Sequence, residues 1–272
     1  MENGPLGTAN PLFGSLSGKR ALVCGSTQGI GKAVAEALAR AGAGVVLMAR
    51  NAERLEAVRL CLPEATLEHR TVVADFGLPG APAAALTHWD FEREPIHILI
   101  NNTGGPAPGP VHTADPEAFR AAFEMHVLAA HGLMKTLLPG MRASGYGRVV
   151  NIISTSVKQP LPGLGVSNTV RAAMGNWSKT LATELAPDGI TVNNVLPGAT
   201  ATERLAGIVG NRALKTGLSA EAVEREMKSE IPMGRFAQAA EIAAAVAFLC
   251  SPAAAYITGI NLPVDGGRTA SL

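Results

Sequence analysis

Residues that would mark a secreted, metal-binding or nucleic-acid-binding protein are scarce in this chain of 272 residues. Its three cysteines, Cys24, Cys61 and Cys250, fit neither a disulfide framework nor a zinc site, so we predict free thiols. The six histidines lack ligand spacing with carboxylates or thiols, so we predict no metal. Lys and Arg total 23 against 22 Asp and Glu, scattered along the chain, which offers no attraction for nucleic acid or an anionic membrane.

Long apolar runs are also missing. No segment approaches the ~20 uninterrupted apolar residues that span a bilayer. Residues 1–17 lack the charged start and apolar core of a signal peptide, and we expect them to form an arm before the first strand. We therefore expect a cytoplasmic protein that is not bound to membranes. With 47% hydrophobic residues, residues 18–272 suffice for a single domain with a large core.

Short apolar runs alternate with longer segments of helical periodicity. The runs predicted as strands are Arg20–Cys24, Gly44–Met48, Glu68–Val73, His97–Ile100, Gly147–Ile153, Thr191–Val195 and Asn261–Val264. The predicted helices are Ile30–Ala41, Ala52–Leu62, Pro116–Met141, Val166–Leu185 and Ala239–Leu249. This alternation predicts an α/β fold, a Rossmann-type doubly wound parallel sheet of about seven strands with helices on both faces. Residues 200–231 interrupt the pattern after a strand, so we expect a lid-like insertion there.

A glycine-rich turn follows the first predicted strand and opens the first predicted helix. Glycines let the backbone approach a diphosphate, and the helix N-terminus supplies free N–H groups and the positive end of its dipole. The position between a strand and a helix distinguishes a dinucleotide site from a chance glycine pattern. We predict that a nicotinamide dinucleotide binds to Gly25, Ser26, Thr27, Gln28, Gly29, Ile30 and Gly31.

The end of the second predicted strand indicates which dinucleotide binds. An NAD site places a carboxylate here for the ribose 2′-hydroxyl, whereas an NADP site places a cation for the 2′-phosphate. This chain has Ala49, then Arg50 and Asn51. A guanidinium can pair with a phosphate through two hydrogen bonds. We therefore predict NADP rather than NAD, with Arg50 and Asn51 in its site.

From Lys19 to Gly267 the ordered motifs resemble the short-chain dehydrogenase/reductase family. They are the glycine turn, Asp75, Asn101–Gly104, Ser154, Asn193–Gly198, Ile257–Gly259 and Asp265–Gly267. The resemblance implies hydride transfer between the nicotinamide and a carbonyl or alcohol carbon of a small molecule. It also implies cofactor contacts by Asp75, Phe76, Asn102, Gly104, Arg171, Pro197, Gly198 and Thr202. Because Asp265–Gly267 resembles a subunit-interface stretch of the family, a homotetramer or homodimer is expected.

The catalytic positions depart from the family pattern. The family has a Ser, a Tyr thirteen residues later, a Lys four beyond that, and an Asn in the preceding long helix. Here Ser154 is present, but Ser167, Arg171 and His126 stand at the other three positions. A serine hydroxyl is a poorer proton donor than a phenol, and arginine does not release its proton at neutral pH. We predict that these four residues form an atypical catalytic set.

Three interpretations follow from this departure. In the first, the protein is an oxidoreductase whose proton donor is His126, with an ordinary pKa of about 6.5, or Lys158, or water held by Ser154 and Ser167. In the second, the fold performs non-redox chemistry. In the third, the protein binds NADP(H) without turnover and acts as a sensor or partner subunit.

The segments expected to surround the substrate are mainly apolar: Gly105–Val111, Thr155–Gly165 and Thr200–Ile231. Leu205, Ile208, Val209 and Leu214 of the lid contribute to this character. A hydrophobic ketone or alcohol is therefore the expected substrate. Arginines such as Arg204 and Arg212 are commonplace on exposed helices, so they do not require an acidic one.

Overall fold

The computed structural model describes residues 14–271, and these residues contain one sheet of seven parallel strands. The strands are β1 Arg20–Cys24, β2 Gly44–Ala49, β3 Arg70–Val73, β4 Ile98–Asn101, β5 Gly147–Ile152, β6 Ile190–Pro197 and β7 Asn261–Val264. Their spatial order is β3-β2-β1-β4-β5-β6-β7. β1, β2, β4 and β5 are buried along their whole length, as strands covered by helices on both faces must be. The predicted doubly wound fold is confirmed.

Helices cover both faces of the sheet. They are α1 Gly29–Arg40, α2 Ala52–Leu60, α3 Ala81–Ala84, α4 Pro116–Phe123, α5 Ala129–Ala143, α6 Gly165–Leu185, α7 Glu203–Thr216, α8 Ala220–Ser229 and α9 Ala239–Cys250. Alternate residues of β1 face opposite layers: Ala21 and Val23 pack with α1 and α9, whereas Leu22 and Cys24 pack with α5 and α6. Because successive side chains of a strand point to opposite faces of the sheet, one short run of sequence contributes to two apolar cores.

Most predicted elements differ from the observed ones by one or two residues at an end, and two of the differences have a structural explanation. The single helix predicted over 116–141 is divided by a π-helical turn, Glu124–Leu128, between α4 and α5. Such turns inside helices are frequent at functional sites. The third strand begins at Arg70 rather than Glu68, because the ring of His69 accepts the backbone N–H of Val45 at 3.0 Å.

A line of three buried asparagines and one half-buried asparagine crosses the sheet. Asn101, Asn151, Asn194 and Asn261 are in register on β4, β5, β6 and β7. Their side chains bond in sequence, Asn101 Nδ2 to Asn151 Oδ1 at 2.7 Å, Asn151 Nδ2 to Asn194 Oδ1 at 2.9 Å, and Asn194 Nδ2 to Asn261 Oδ1 at 2.8 Å. Each buried amide is thereby satisfied, which avoids the penalty for unpaired polar groups in a core. The line fixes the strands whose ends border the cleft described below.

Residues 200–231, predicted as a lid, contain α7 and α8. These helices enclose a small apolar cluster of their own, formed by Leu205, Val209, Val223, Ile231 and Phe236. The predicted N-terminal arm lies mostly outside the described residues, but Leu16 at its end is buried in the main core. Within residues 14–271 no helix is both long and apolar enough to cross a membrane.

Candidate functional site

A cleft of about 1040 Å³ opens at the carboxyl ends of the strands. It lies where the strand order reverses, between β1 and β4, because connections there lead to opposite faces and leave a crevice. The structure brings twelve of the predicted cofactor residues to its walls. They are Gly25, Thr27, Gln28, Gly29, Ile30, Arg50, Asn51, Asp75, Phe76, Asn102, Gly104 and Thr202.

The glycine turn between β1 and α1 is held against the end of β4. Nδ2 of Asn102 donates to the carbonyl oxygens of Cys24 and Gly25, at 3.2 and 3.3 Å. Gly25 has φ +60°, and a Cβ there would lie 2.6 Å from the carbonyl oxygen of Asn102. At Gly31, a Cβ would lie 2.8 Å from the carbonyl carbon of Gly25. A side chain at either position would thus displace the turn that brings the backbone to the cleft.

Two of the turn's predicted contacts face away from the cleft. Ser26 is fully buried, with its hydroxyl 3.5 Å from the carbonyl oxygen of Met48, and Gly31 packs under the turn. These two residues support the shape of the turn but do not line the cleft. The turn residues that line the cleft are the ones able to offer backbone N–H groups to a ligand.

Two arginines lie at the outer end of the cleft, beyond β2. Arg50 is exposed, and Arg54 in the first turn of α2 donates from Nη1 to Oε1 of Gln28 at 3.0 Å. Asn51 caps α2, since its Oδ1 accepts the backbone N–H of Arg54 at 2.8 Å. Sequence reasoning missed Arg54, although an arginine one helical turn beyond Arg50 is a recognisable signal. The outer end therefore carries two positive charges where one was predicted.

Arg171 projects from α6 into a small inner cavity, which shares Phe76, Asn102, Thr103 and Met125 with the walls of the cleft. It is 7% exposed, and its Nη1 donates to the carbonyl oxygen of Ile152 at 2.9 Å. Its buried Nε has no partner among the described residues. Desolvation, with a smaller effect of the nearby charge of Arg204, lowers the pKa of Arg171 to about 10, so the side chain stays charged at neutral pH. Arg171 supplies positive potential but not a proton.

His126 lies on the π-helical turn and faces the same inner cavity, a space of about 10 Å³ that Arg171 and Thr103 also line. Its Nδ1 is 2.6 Å from Oγ1 of Thr103, whereas its Nε2 has no partner among the residues described. Burial first, then the charges of Arg171 and Arg204, lower the pKa of His126 to about 3. The ring is therefore neutral at pH 7, which does not suit the proton-donor role for which sequence reasoning chose it.

The other predicted catalytic residues lie on two adjacent elements. Ser154 follows β5 and is half-buried, with its Oγ accepting the backbone N–H of Ser156 at 3.1 Å. Ser167 is half-buried in the first turn of α6, and Lys158 is half-buried at the end of a short 3-10 turn, Thr155–Val157. None of the three is among the residues that line the main cleft.

The remaining predicted cofactor residues lie between β6 and α7. Pro197 ends β6, and Gly198 lies so close to Asp265 that a Cβ would be 2.7 Å from its Cα. Thr202 caps α7, and its methyl group would be 3.3 Å from a Cβ on Gly29. The start of the lid thus lies directly over the glycine turn.

The predicted apolar lining of the lid is wrong. Leu205 and Val209 pack inside the lid against Val223 and Phe236, because α8 covers the apolar side of α7. Leu214 is 85% exposed. The lid residues that line the cleft are Thr202, Glu203 and Arg204, of which sequence reasoning set Arg204 aside as a surface arginine.

Known proteins resemble the chain over nearly its whole length. A family model described as enoyl-(acyl carrier protein) reductase matches residues 25–269. The NADPH-dependent reductase BacG of Bacillus subtilis (strain 168) is 33% identical over 261 residues, covering 94% of this chain and 100% of BacG. Gluconate 5-dehydrogenase of Gluconobacter oxydans is 32% identical over 264 residues, covering 97% of this chain and 100% of that enzyme. The structure of L-sorbose reductase from Gluconobacter frateurii, complexed with NADPH and L-sorbose, aligns with a TM-score of 0.88 at 34% identity. The alignment covers 96% of this chain and 99% of the reductase.

Proposed function

Because the chain belongs to the short-chain dehydrogenase/reductase family, we propose that it is an NADP(H)-dependent oxidoreductase acting on a carbonyl or alcohol of a small substrate. The observation that carries this proposal is the cleft itself. It joins the glycine turn, at the N-terminus of α1, to a pair of arginines at one end and a buried arginine near the other. Bound NADPH would supply the hydride, and the protein residues would position it and handle the charge that develops.

The cofactor's phosphates match the positive groups of the cleft. The free backbone N–H groups at Gly29 and Ile30, together with the helix dipole, would bind the diphosphate. Arg50 and Arg54 would bind the 2′-phosphate, since guanidinium and phosphate form paired, charge-assisted hydrogen bonds. The absence of a carboxylate at Ala49 removes the partner that a free 2′-hydroxyl would need. Support comes also from BacG and L-sorbose reductase, whose names or structures specify NADPH.

The proton that balances the hydride is the atypical part of the proposal. Reduction of a carbonyl adds a hydride to carbon and a proton to oxygen. Ser167 and Arg171 stand where the family has its Tyr and Lys, and neither they nor a neutral His126 is a suitable donor at pH 7. Water held by the hydroxyls of Ser154 and Ser167 is the donor we propose. The buried charge of Arg171 would stabilise the oxyanion until it is protonated.

A second candidate is NADP(H) binding without turnover. It is favoured by the positions of the chain's two tyrosines. The hydroxyl of Tyr146 donates to the carbonyl oxygen of Cys250 at 2.6 Å, and Tyr256 is fully exposed. Neither residue lines the cleft. A binding measurement must therefore be paired with a turnover measurement.

Titration of the purified protein with NADPH and NADH tests the proposal. The wild type should bind NADPH more tightly. Arg50→Ala and Arg54→Ala should each weaken NADPH binding about tenfold or more, since a hydrogen bond to a charged group contributes about 1.5–3 kcal/mol, and should leave NADH binding nearly unchanged. Arg59→Ala is the matched control, because Arg59 pairs with Glu56 at 2.6 Å on the same helix. Equal affinities for the two cofactors in the wild type would contradict the proposal.

Turnover is tested by mixing the NADPH complex with a broad panel of ketones and aldehydes and following absorbance at 340 nm. Oxidation of bound NADPH by any member supports the oxidoreductase. If NADPH binds tightly but is never oxidised, and Ser167→Tyr with Arg171→Lys creates turnover, the second candidate is correct.

A further inference from the structure

Three basic side chains from three different elements meet at the inner end of the cleft. Arg204, the second residue of α7, extends to the loop after β4, where a Cβ on Gly105 would lie 2.7 Å from its Nη1 and 2.8 Å from its Cζ. Arg171 and His126 lie behind it around the small inner cavity. The charge of Arg204 is close enough to lower the pKa values of both.

These groups lack counter-charges. Neither Arg204 nor Arg171 has a carboxylate within 4.0 Å among residues 14–271, and Glu203, although it lines the same cleft, forms no ion pair with Arg204. Arg171 is 7% exposed and His126 5%, and each has a buried nitrogen without a partner in that range, Nε and Nε2 respectively. Arg204 is exposed, but the charge of Arg171 is removed from water without a partner, which is costly. An arrangement of this kind is stabilised when an anion binds.

Another arginine of the same helix shows the contrast. Arg212 pairs with Glu226 of α8 at 2.8 Å, so its charge is satisfied on the outer side of the lid. Arg204 differs in direction, because the start of α7 lies over the glycine turn and its second residue faces the cleft. The unpaired charge is therefore specific to the position that faces the inner end.

The contact that Arg204 makes distinguishes it from the phosphate sites proposed above. The diphosphate site is at Gly29 and Ile30, and the 2′-phosphate site is at Arg50 and Arg54 beyond β2. Arg204 instead contacts the loop after β4, on the side of Arg171 and His126. An anion bound there would belong to a second ligand that lies beside the cofactor.

We propose that Arg204, backed by Arg171, binds the carboxylate of an acidic substrate at the reacting end of the cleft. The proposal rests on the proposed function and names its substrate class, in place of the neutral hydrophobic ketone expected from sequence. Arg204 is a specificity-determining residue, and Arg171 supplies the positive potential behind it.

The test measures the preference for a carboxylate over its neutral ester. Full-length protein, with and without saturating NADP⁺, is titrated calorimetrically with pyruvate, phenylpyruvate and 4-phenyl-2-oxobutanoate and with their methyl esters. At least one acid should bind the wild type at least tenfold more tightly than its ester. Arg204→Gln should abolish this preference, Arg204→Lys should retain part of it, and the control Arg212→Gln should retain all of it.

Affinity for NADPH is measured on the same variants, so that the two proposals fail in different ways. If NADPH does not bind to the wild type, the proposed function fails, while the titrations without cofactor still report on Arg204. The substrate assignment is overturned if no acid binds more tightly than its ester, or if the preference survives Arg204→Gln. It is also overturned if Arg204→Gln weakens NADPH binding tenfold while no acid preference exists in the wild type, since Arg204 would then bind the cofactor's diphosphate.

Discussion

Two buried histidines should make the fold lose stability as the pH falls. Burial is the largest cause of the low pKa of both residues, about 3 for His126 and about 4 for His97. Nearby cations add to it, Arg171 and Arg204 at His126, and Lys19 and Arg20 at His97. In the unfolded chain each ring returns to a pKa of about 6.5. The folded rings thus stay neutral at pH values where the unfolded rings are charged.

The sign and size of the effect follow from proton linkage. Between pH 6.5 and the folded pKa the unfolded state binds more protons, so the free energy of unfolding falls as the pH falls. At pH 5 the loss amounts to about 2 kcal/mol for each histidine, and about 4 kcal/mol for the two together, since they lie far apart in the fold. Above about pH 7.5 both rings are neutral in the folded and the unfolded state, so neither lowers the free energy of unfolding.

Urea unfolding at pH 7.5 and pH 5.0, at one protein concentration, measures this loss. Carboxylates also respond to pH, so the informative quantity is the difference between the wild type and variants with His97→Gln, His126→Gln or both. The loss should be about 2 kcal/mol smaller in each single variant and about 4 kcal/mol smaller in the double variant. Histidine NMR signals provide a direct check, because those of His97 and His126 should not titrate between pH 8 and 5. If the double variant loses as much stability as the wild type, the rings are not neutral buried groups and the reasoning is wrong.

Two further substitutions test the frame of the cleft. Asn151→Ala should lower the free energy of unfolding by about 1–3 kcal/mol in urea melts, because it leaves Nδ2 of Asn101 without its acceptor and removes one of the two donors to Oδ1 of Asn194; a loss under about 0.5 kcal/mol would show that the line of asparagines is not stabilising. Gly31→Ala should reduce NADPH affinity at least tenfold by forcing the glycine turn away from α1, whereas Gly210→Ala, in open space on α7, should leave it unchanged. Normal NADPH binding by the first variant would refute the tight packing of the turn.

The fold was predictable because its signals are local and repeated. Each buried strand is a short run of Val, Ile and Leu, and each covering helix carries its own periodicity, so the order of elements follows from the chain alone. The glycine turn was predictable for the same reason, since strand, turn and helix are contiguous between Arg20 and Arg40. Periodicity does not show an extra residue in a helix, and so the π-helical turn at Glu124–Leu128 was missed.

The inner site was harder to predict because it depends on where each side chain points and on how deeply it is buried. Arg204 and Arg212 look alike in the sequence, yet one faces the cleft and the other pairs with Glu226. The apolar residues of α7 were assigned to the cleft because the sequence does not show that α8 covers them. His126 was one of three candidate proton donors, named because of its ordinary pKa, which holds only in water. Its burial, a tertiary property, reverses that choice.

Substrate binding at Arg204 does not restore His126 as a proton donor. A carboxylate bound there would offset the charge of Arg204 and so remove one cause of the low pKa of His126. That cause is the smallest of the three, after burial and the charge of Arg171. A ligand that fills the cleft would also exclude more water from the ring, and this further burial would lower the pKa of His126 still more. The ring therefore stays neutral in the complex, which agrees both with the proposed donor, water at Ser154 and Ser167, and with the second candidate, NADP(H) binding without turnover.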